Sequence, residues 1–154
     1  MKKPGSPHTP PPLTGIEKVR HVVAVASGKS LPEAGVLVVT TPQVVAIADV
    51  KRAVSLFRKT GKSILGIVEN MAYFCCAHSP DRIEIFGSGG GEALSRQIGV
   101  PLFASLPIDI ALREGGDAGV PLMSRSPDSE TGKRFASVAG QVGRRFEELS
   151  REGH

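Results

Sequence analysis

Two short stretches carry residue types that do chemistry. The first is SGKS, Ser27 to Ser30, in which Gly28, Lys29 and Ser30 supply one glycine and the Lys-Ser pair of a phosphate-binding loop. Such a loop needs several glycines whose backbone N–H groups curl around phosphate, then Lys-Ser/Thr, then a helix whose N-terminus faces the anion. Here Leu31-Pro32 follows at once, and LPEAG is too short for a helix. On its own the tetrapeptide fits a surface turn better than a phosphate site. The second stretch is YFCCAHSP, Tyr73 to Pro80, where Cys75, Cys76 and His78 are possible ligands of a metal site. Such sites usually take four ligands, and adjacent cysteines seldom bind one ion comfortably. The alternatives are small buried core thiols or a reactive thiol.

Other polar features admit ordinary uses. GSGGG, Gly87 to Gly91, precedes an expected helix and fits an anion-binding turn or a flexible bend. Arg113, Glu114 and Asp117 beside a glycine-rich bend fit a solvated face.

The elements that must position these residues follow from patterning. Val22–Ser27, Val36–Thr41 and Ser63–Asn70 are continuous apolar, mostly β-branched runs, the pattern of strands buried on both faces of a parallel sheet. Thr41-Pro42 predicts a helix start with Thr41 as N-cap, and apolar positions Val50, Ala53, Val54 and Phe57 carry that helix to about Thr60, where Gly61 ends it. Residues 71–87 are expected to be an irregular excursion. A short helix over Glu92–Ile98, a strand over Val100–Pro107, and one helical turn with a loop after Asp109 come next. A last helix is predicted from Asp128 to about Leu149, its apolar stripe running through Phe135, Val138, Ala139, Val142, Phe146 and Leu149. Strand, helix and strand recurring within about thirty residues predict βαβ units, hence an α/β fold with a mostly parallel sheet flanked by helices.

At 154 residues the chain suits one domain, expected over 16–150 behind a disordered Pro-rich tail at 1–15. It contains 19 basic and 15 acidic residues, six Phe, one Tyr and no Trp. Scattered cations with so few stacking groups do not indicate nucleic acid binding. No run has the length of a membrane span, and the N-terminus lacks the apolar stretch of a secretory signal, so a cytoplasmic location is expected. The two cysteines are adjacent, which leaves no disulfide framework.

The interval between the first two strands is a geometric problem. Parallel neighbours need a crossover of about a dozen or more residues. Residues 28–34 are seven, which reach roughly 25 Å fully extended, against about 20 Å for a six-residue strand to be retraced. Either the strands form a hairpin, or they are not neighbours, or a strained loop makes the return.

From Ala34 to about Leu122 the chain closely resembles the C-terminal half of the Mrp/ApbC-type iron-sulfur cluster carrier ATPases, a branch of the MinD/ParA-like P-loop proteins. The matching stretches are VVTTPQ (38–43), LFRK (56–59), LGIVENMAYF (65–74), IFGSGGG (85–91), LPID (106–109) and REGGDAGVPL (113–122). IEKVRHVVAVASGK, Ile16 to Lys29, resembles the family's first strand and the start of its phosphate loop. The family's loop reads SGKGGVGKS/T and leads to a long helix, then to strands bearing the aspartates that hold magnesium. Ser30-Leu31-Pro32 passes from inside that loop to just before a later strand, as if about a hundred residues were excised. Lys29 matches either the loop's signature lysine or its phosphate lysine, not both.

The resemblance implies a P-loop NTPase-like domain, incomplete relative to the family: residues 16–30 its first strand and partial phosphate loop, 34–150 its C-terminal half. It implies ATP with Mg²⁺ and a [4Fe-4S] cluster as the family's ligands, and delivery of clusters to iron-sulfur apoproteins. Partners implied are a second copy or a full-length relative, since the family's Cys-x-x-Cys pairs come from two subunits. Aligned through Tyr73-Phe74, Cys76 matches the first family cysteine and Ser79 stands at the second. Asn70 is implied as the adenine contact, with Pro107 and Asp109 beside the base. The ordinary reading is that Asn70 caps a strand and Asp109 a helical turn. ATP hydrolysis is expected to be weak or absent, because phosphoryl transfer rests on the missing cradle and magnesium. The alternative function is a non-catalytic interaction module.

Overall fold

The computed structural model describes residues 24–25, 35–76 and 81–152. The expected tail at 1–15 lies outside these residues, as do Gly28, Lys29, Ser30, His78 and Ser79. Strands β1 (Ala24–Val25), β2 (Val36–Thr40), β3 (Ile64–Cys75), β4 (Arg82–Ile83) and β5 (Leu102–Ile108) form one sheet. Helices α1 (Val44–Lys59), α2 (Gly90–Ile98), α3 (Ile110–Asp117), α4 (Leu122–Arg125) and α5 (Glu130–Glu152) complete the order β1-β2-α1-β3-β4-α2-β5-α3-α4-α5.

β1, β2, β3 and β5 lie side by side and parallel; only β4 runs antiparallel to β3. β2 pairs with β3 as far as Thr40 opposite Glu69, and β4 pairs at Phe74 and Cys75. β5 overlaps both ranges, so it occupies the opposite edge and β4 continues β2's edge. Ala24 faces Val36 and Val25 faces Leu37 in parallel register, so β1 and β2 are direct neighbours and not a hairpin.

Alternation along β2 assigns the two layers. Val36 and Val38 join Ile47, Val54 and Phe57 of α1 and Leu94 of α2 on one face. Leu37 and Val39 turn to the other face, with Val68, Leu106 and the α5 stripe at Phe135, Val138 and Val142. The expected stripe on the last helix thus covers a sheet face. Burying an aliphatic side chain stabilises by about 1.5–3 kcal/mol, so the fully buried Val36, Leu65, Ile67 and Leu94 dominate the core.

Helix boundaries shift from expectation for local reasons. Gln43, not Thr41, is the N-cap of α1, with extended backbone and no side-chain cap bond; Thr41 Oγ1 donates to Gln43 Oε1 instead. Gly61 ends α1 as expected: at φ 71° its N–H bonds to Arg58 O while Lys62 N–H bonds to Phe57 O. This paired closure satisfies carbonyls the helix cannot. The segment after Asp109 forms two helices, α3 and α4, rather than one turn and a loop. No helix of the described residues is long and apolar enough to cross a membrane.

The largest correction concerns β3. The strand does not end at Asn70; it continues through Met71–Cys75, where an irregular excursion was expected. Glu69 faces Ser105 and Tyr73 faces Pro107, so four steps along β3 match two along β5. The surplus is a bulge at Asn70–Met71. Met71 takes a left-handed conformation, φ 54°, and its N–H donates to Asn70 Oδ1 at 2.9 Å. The Asn side chain thereby satisfies an amide at the break, and the ladder resumes beyond it.

Candidate functional site

The carboxyl end of a parallel sheet is where α/β folds bind ligands. Two cavities open beside the extended part of β3. The first, about 430 Å³, lies between the sheet and α5, with Asn70 as its polar group among Leu37, Val39, Val68, Leu106 and Leu112. The second, about 320 Å³, is lined by Tyr73, Cys75, Pro107, Asp109, Glu130 and Thr131, among others. Pro107, Asp109 and Cys75 therefore share one cavity, while Asn70 faces its neighbour. The β3 bulge divides them.

Asp109 is fully engaged in holding structure. Its Oδ1 accepts from the N–H groups of Ala111 at 2.8 Å and Leu112 at 3.2 Å, capping α3, and its Oδ2 accepts from Thr131 Oγ1 at 2.5 Å. The Thr131 hydroxyl, then the two amides, hold its carboxyl below the ordinary carboxylate value against the opposing effect of burial. An ionised carboxylate with both oxygens occupied is a poor proton acceptor and a fixed wall of the cavity. The capping role is what the sequence pattern allowed for Asp109; its partner Thr131 was not foreseen.

The cysteines end the strand. Cys75 is exposed and Cys76 half-buried, and both are free thiols. Among the described residues no group of three or more His, Cys, Asp and Glu is placed to hold a metal ion. Two thiols on one chain fall short of the four ligands a cluster takes, so the described part does not complete a site by itself.

Three groups behind the cavities were missed by sequence reasoning. Glu69, 4% exposed, accepts from Gly91 N at 2.7 Å through Oε1 and from Ser105 Oγ at 2.9 Å through Oε2. It ties the first turn of α2 to the strands carrying Asn70 and Pro107. A carboxylate inside the apolar run SILGIVEN was the available signal, because a buried charge demands partners. Tyr73 is the second: the Arg82 guanidinium sits 4.5 Å from its ring centroid and that of Arg134 5.9 Å. Arg134 is the third. It donates to Glu130 at 2.8 Å, and that bond raises its already high pKa and lowers that of Glu130. No sequence spacing links Tyr73, Arg82 and Arg134, since they meet only across β3, β4 and α5.

The two glycines that open α2 pack tightly, whereas a Cβ on Gly87 or Gly89 of the preceding turn would meet nothing within 4 Å. A Cβ on Gly90 would meet Pro42 O at 2.5 Å, and one on Gly91 would meet Glu69 Cβ at 2.9 Å. The close approach of α2 to the Pro42 backbone and to β3 requires residues without side chains there.

Comparison with known proteins bears on what this end of the sheet is for. The iron-sulfur cluster carrier protein of Synechocystis sp. is 46% identical over 115 residues, covering 74% of this chain and 33% of that protein. The iron-sulfur cluster carrier protein of Pyrococcus furiosus is 36% identical over 143 residues, covering 93% of this chain and 46% of that protein. The septum site-determining protein MinD of Pyrococcus horikoshii, solved with Mg-ADP, superposes with a TM-score of 0.54 at 28% identity over 71% of this chain and 41% of that one. The chain thus spans between a third and half of the length of these relatives. A family model described as ParA, NUBPL iron-transfer P-loop NTPase, matches residues 11–143. With strands β2, β3 and β5 parallel and the match running through nearly the whole described fold, this chain belongs to the ParA-type iron-transfer P-loop NTPase family.

Proposed function

We propose that this chain acts in iron-sulfur cluster carriage or assembly with its ATP hydrolysis impaired. The observation that carries this reading is the direct parallel pairing of β1 with β2, which leaves residues 26–35 as the whole connection between them. A complete phosphate loop, its helix and the magnesium-binding strands need far more chain. Gly28, Lys29 and Ser30 are the fragment of that loop available to touch phosphate. The relatives' names supply the cluster-carrier role, and the MinD structure with Mg-ADP supplies the nucleotide precedent.

In this reading Asn70, Pro107 and Asp109 form the wall against adenine. Asn70 offers its side-chain NH₂, because its oxygen already accepts from Met71. Asp109 acts by fixing the Pro107–Ile108 backbone at the head of α3 rather than by touching Mg²⁺. Nucleotide affinity is correspondingly weak. Cys76, with Cys75 and His78 as further ligands, takes part in holding the transported cluster. The remaining ligands come from a second copy or a full-length relative, and the receivers are iron-sulfur apoproteins. The location in this reading is the cytoplasm.

The test combines Mg-ATP turnover with anaerobic reconstitution using iron and sulfide, with and without a full-length relative. Expected are turnover far below that of the relative and a visible charge-transfer absorbance that Cys76→Ser abolishes. Turnover equal to the relative's would overturn the impaired-hydrolysis reading. A colourless protein that still binds the relative would replace carriage by a non-catalytic interaction module.

A further inference from the structure

We infer that the opposite, amino-terminal end of the sheet is a docking surface for an acidic, partly apolar segment of a partner protein. Two open grooves, about 400 and 270 Å³, adjoin there and share Arg145. One runs along α5 past Arg144 and the start of β5 at Pro101 and Phe103. The other lies against Arg58, Lys62 and Leu149. Four cations, Arg58, Lys62, Arg144 and Arg145, thus line a trough whose acid is Glu148.

Helix termini account for only part of this charge. α1 and α2 both end at this side of the sheet, and cations are favoured at such ends. Arg58 serves that purpose, donating to Ile98 O at the end of α2. Arg145 is paired with Glu148 at 2.9 Å, yet its Nε is buried without an acceptor among the described residues. Arg144 and Arg145 stand about two turns before the end of α5, so the helix dipole does not call for them. Lys62 and Arg144 have no acidic partner among the described residues. The trough therefore holds a positive surplus that nothing among the described residues neutralises.

The chemistry of the walls selects the partner. Guanidinium groups match carboxylates in bidentate geometry. Pro101, Phe103 and Leu149 add apolar surface between the cations, which a peptide with acidic and apolar side chains uses and a bare polyanion leaves idle. The open shape suits an extended chain rather than an enclosed small ligand. The trough lies at the other end of the strands from Asn70 and Cys75, so a protein docked there leaves both cavities uncovered.

The test is fluorescence anisotropy of the full chain with a labelled peptide alternating Glu and Asp with Leu and Phe, at low and high salt. Phosphatidylserine vesicles and a single-stranded oligonucleotide serve as competitors. Saturable, salt-sensitive peptide binding is expected, weakened roughly tenfold by Lys62→Glu with Arg144→Glu. The control pair Arg125→Glu with Lys133→Glu makes the same charge change elsewhere and is expected to leave binding within about twofold. Should circular dichroism show the first pair unfolded, Lys62→Gln with Arg144→Gln replaces it, with a loss of about threefold expected. Equal weakening by both pairs, absence of saturable binding, or stronger competition by vesicles or oligonucleotide than by unlabelled peptide would overturn the assignment.

Discussion

Thr131 Oγ1 donates to Asp109 Oδ2 at 2.5 Å, joining the first turn of α5 to the cap of α3 across 22 residues of sequence. Thr131 is 4% exposed, so this bond is sheltered from water. One carboxylate thereby closes a helix N-terminus and anchors a second helix at the rim of the Pro107 cavity.

This junction makes stability pH-dependent. The carboxyl of Asp109 titrates below its ordinary value of 3.8 in the folded state, chiefly through Thr131. A group depressed on folding stabilises in full above its unfolded pKa, and the contribution is lost as pH falls through the folded one. Asp109→Asn keeps a capping oxygen and an NH₂ facing Thr131 but has no charge to lose. Urea melts from pH 7 to pH 2 should show less acid destabilisation in that variant than in the parent. Thr131→Val should cost about 1 kcal/mol at pH 7, with less once the pH has fallen through the lowered pKa of Asp109.

Glu69 should be the most sensitive polar position of the described fold. Removing it in Glu69→Ala strands the Gly91 amide and Ser105 hydroxyl and opens a small void, at a cost of about 3 kcal/mol. Glu69→Gln retains one acceptor and should lose less. Gly91→Ala drives a methyl to 2.9 Å from Glu69 Cβ, and overpacking of that kind costs about 1–3 kcal/mol. Chemical denaturation of the three variants checks the order.

Gly66 makes a harder contact. A Cβ there would lie 2.3 Å from the Phe103 ring, which packs beneath α5. Gly66→Ala should displace that ring and destabilise by about 2 kcal/mol or more. Gly61, by contrast, has open space around a Cβ but φ 71°. Gly61→Ala should therefore cost about 1 kcal/mol through backbone strain alone. Thermal melts distinguish the two, and a near-ultraviolet signal from the aromatic core should change only in the first.

The bulge at Met71 yields a prediction of opposite sign. Its left-handed backbone, φ 54°, is unfavourable for a side chain, and the residue is 37% exposed. Met71→Gly should stabilise by up to about 1 kcal/mol, whereas the β-branched Met71→Ile should destabilise. Equal stability of parent and glycine variant would mean that the Met71 side chain offsets its own strain.

Much of the fold was legible because it rests on short-range rules. The apolar runs of β2 and β3, the periodicity of α1 and α5, and Gly61 as a stop each express local geometry that a few neighbouring residues dictate. The α3 and α4 helices were underestimated because REGGD and AGVP carry glycines that normally break helices; packing of α4 against α5 and the Asp109 cap offset them. The cap position of α1 moved from Thr41 to Gln43 because Thr41 spends its hydroxyl on that glutamine.

The site divides in the same way. By sequence alone, this protein's residue types, family resemblance, α/β class and broken phosphate-loop motif were determined, since these are properties of order along the chain. Tertiary structure alone decided that β3 runs on through a bulge, that Cys75 shares a cavity with Pro107 and Asp109, and that Glu69 finds Gly91 and Ser105. It alone decided that the first two strands are parallel neighbours. Each of these is a pairing of residues distant in sequence, and the energy that selects it arises only when strands and helices pack, where buried polar groups must find partners wherever the fold has brought them.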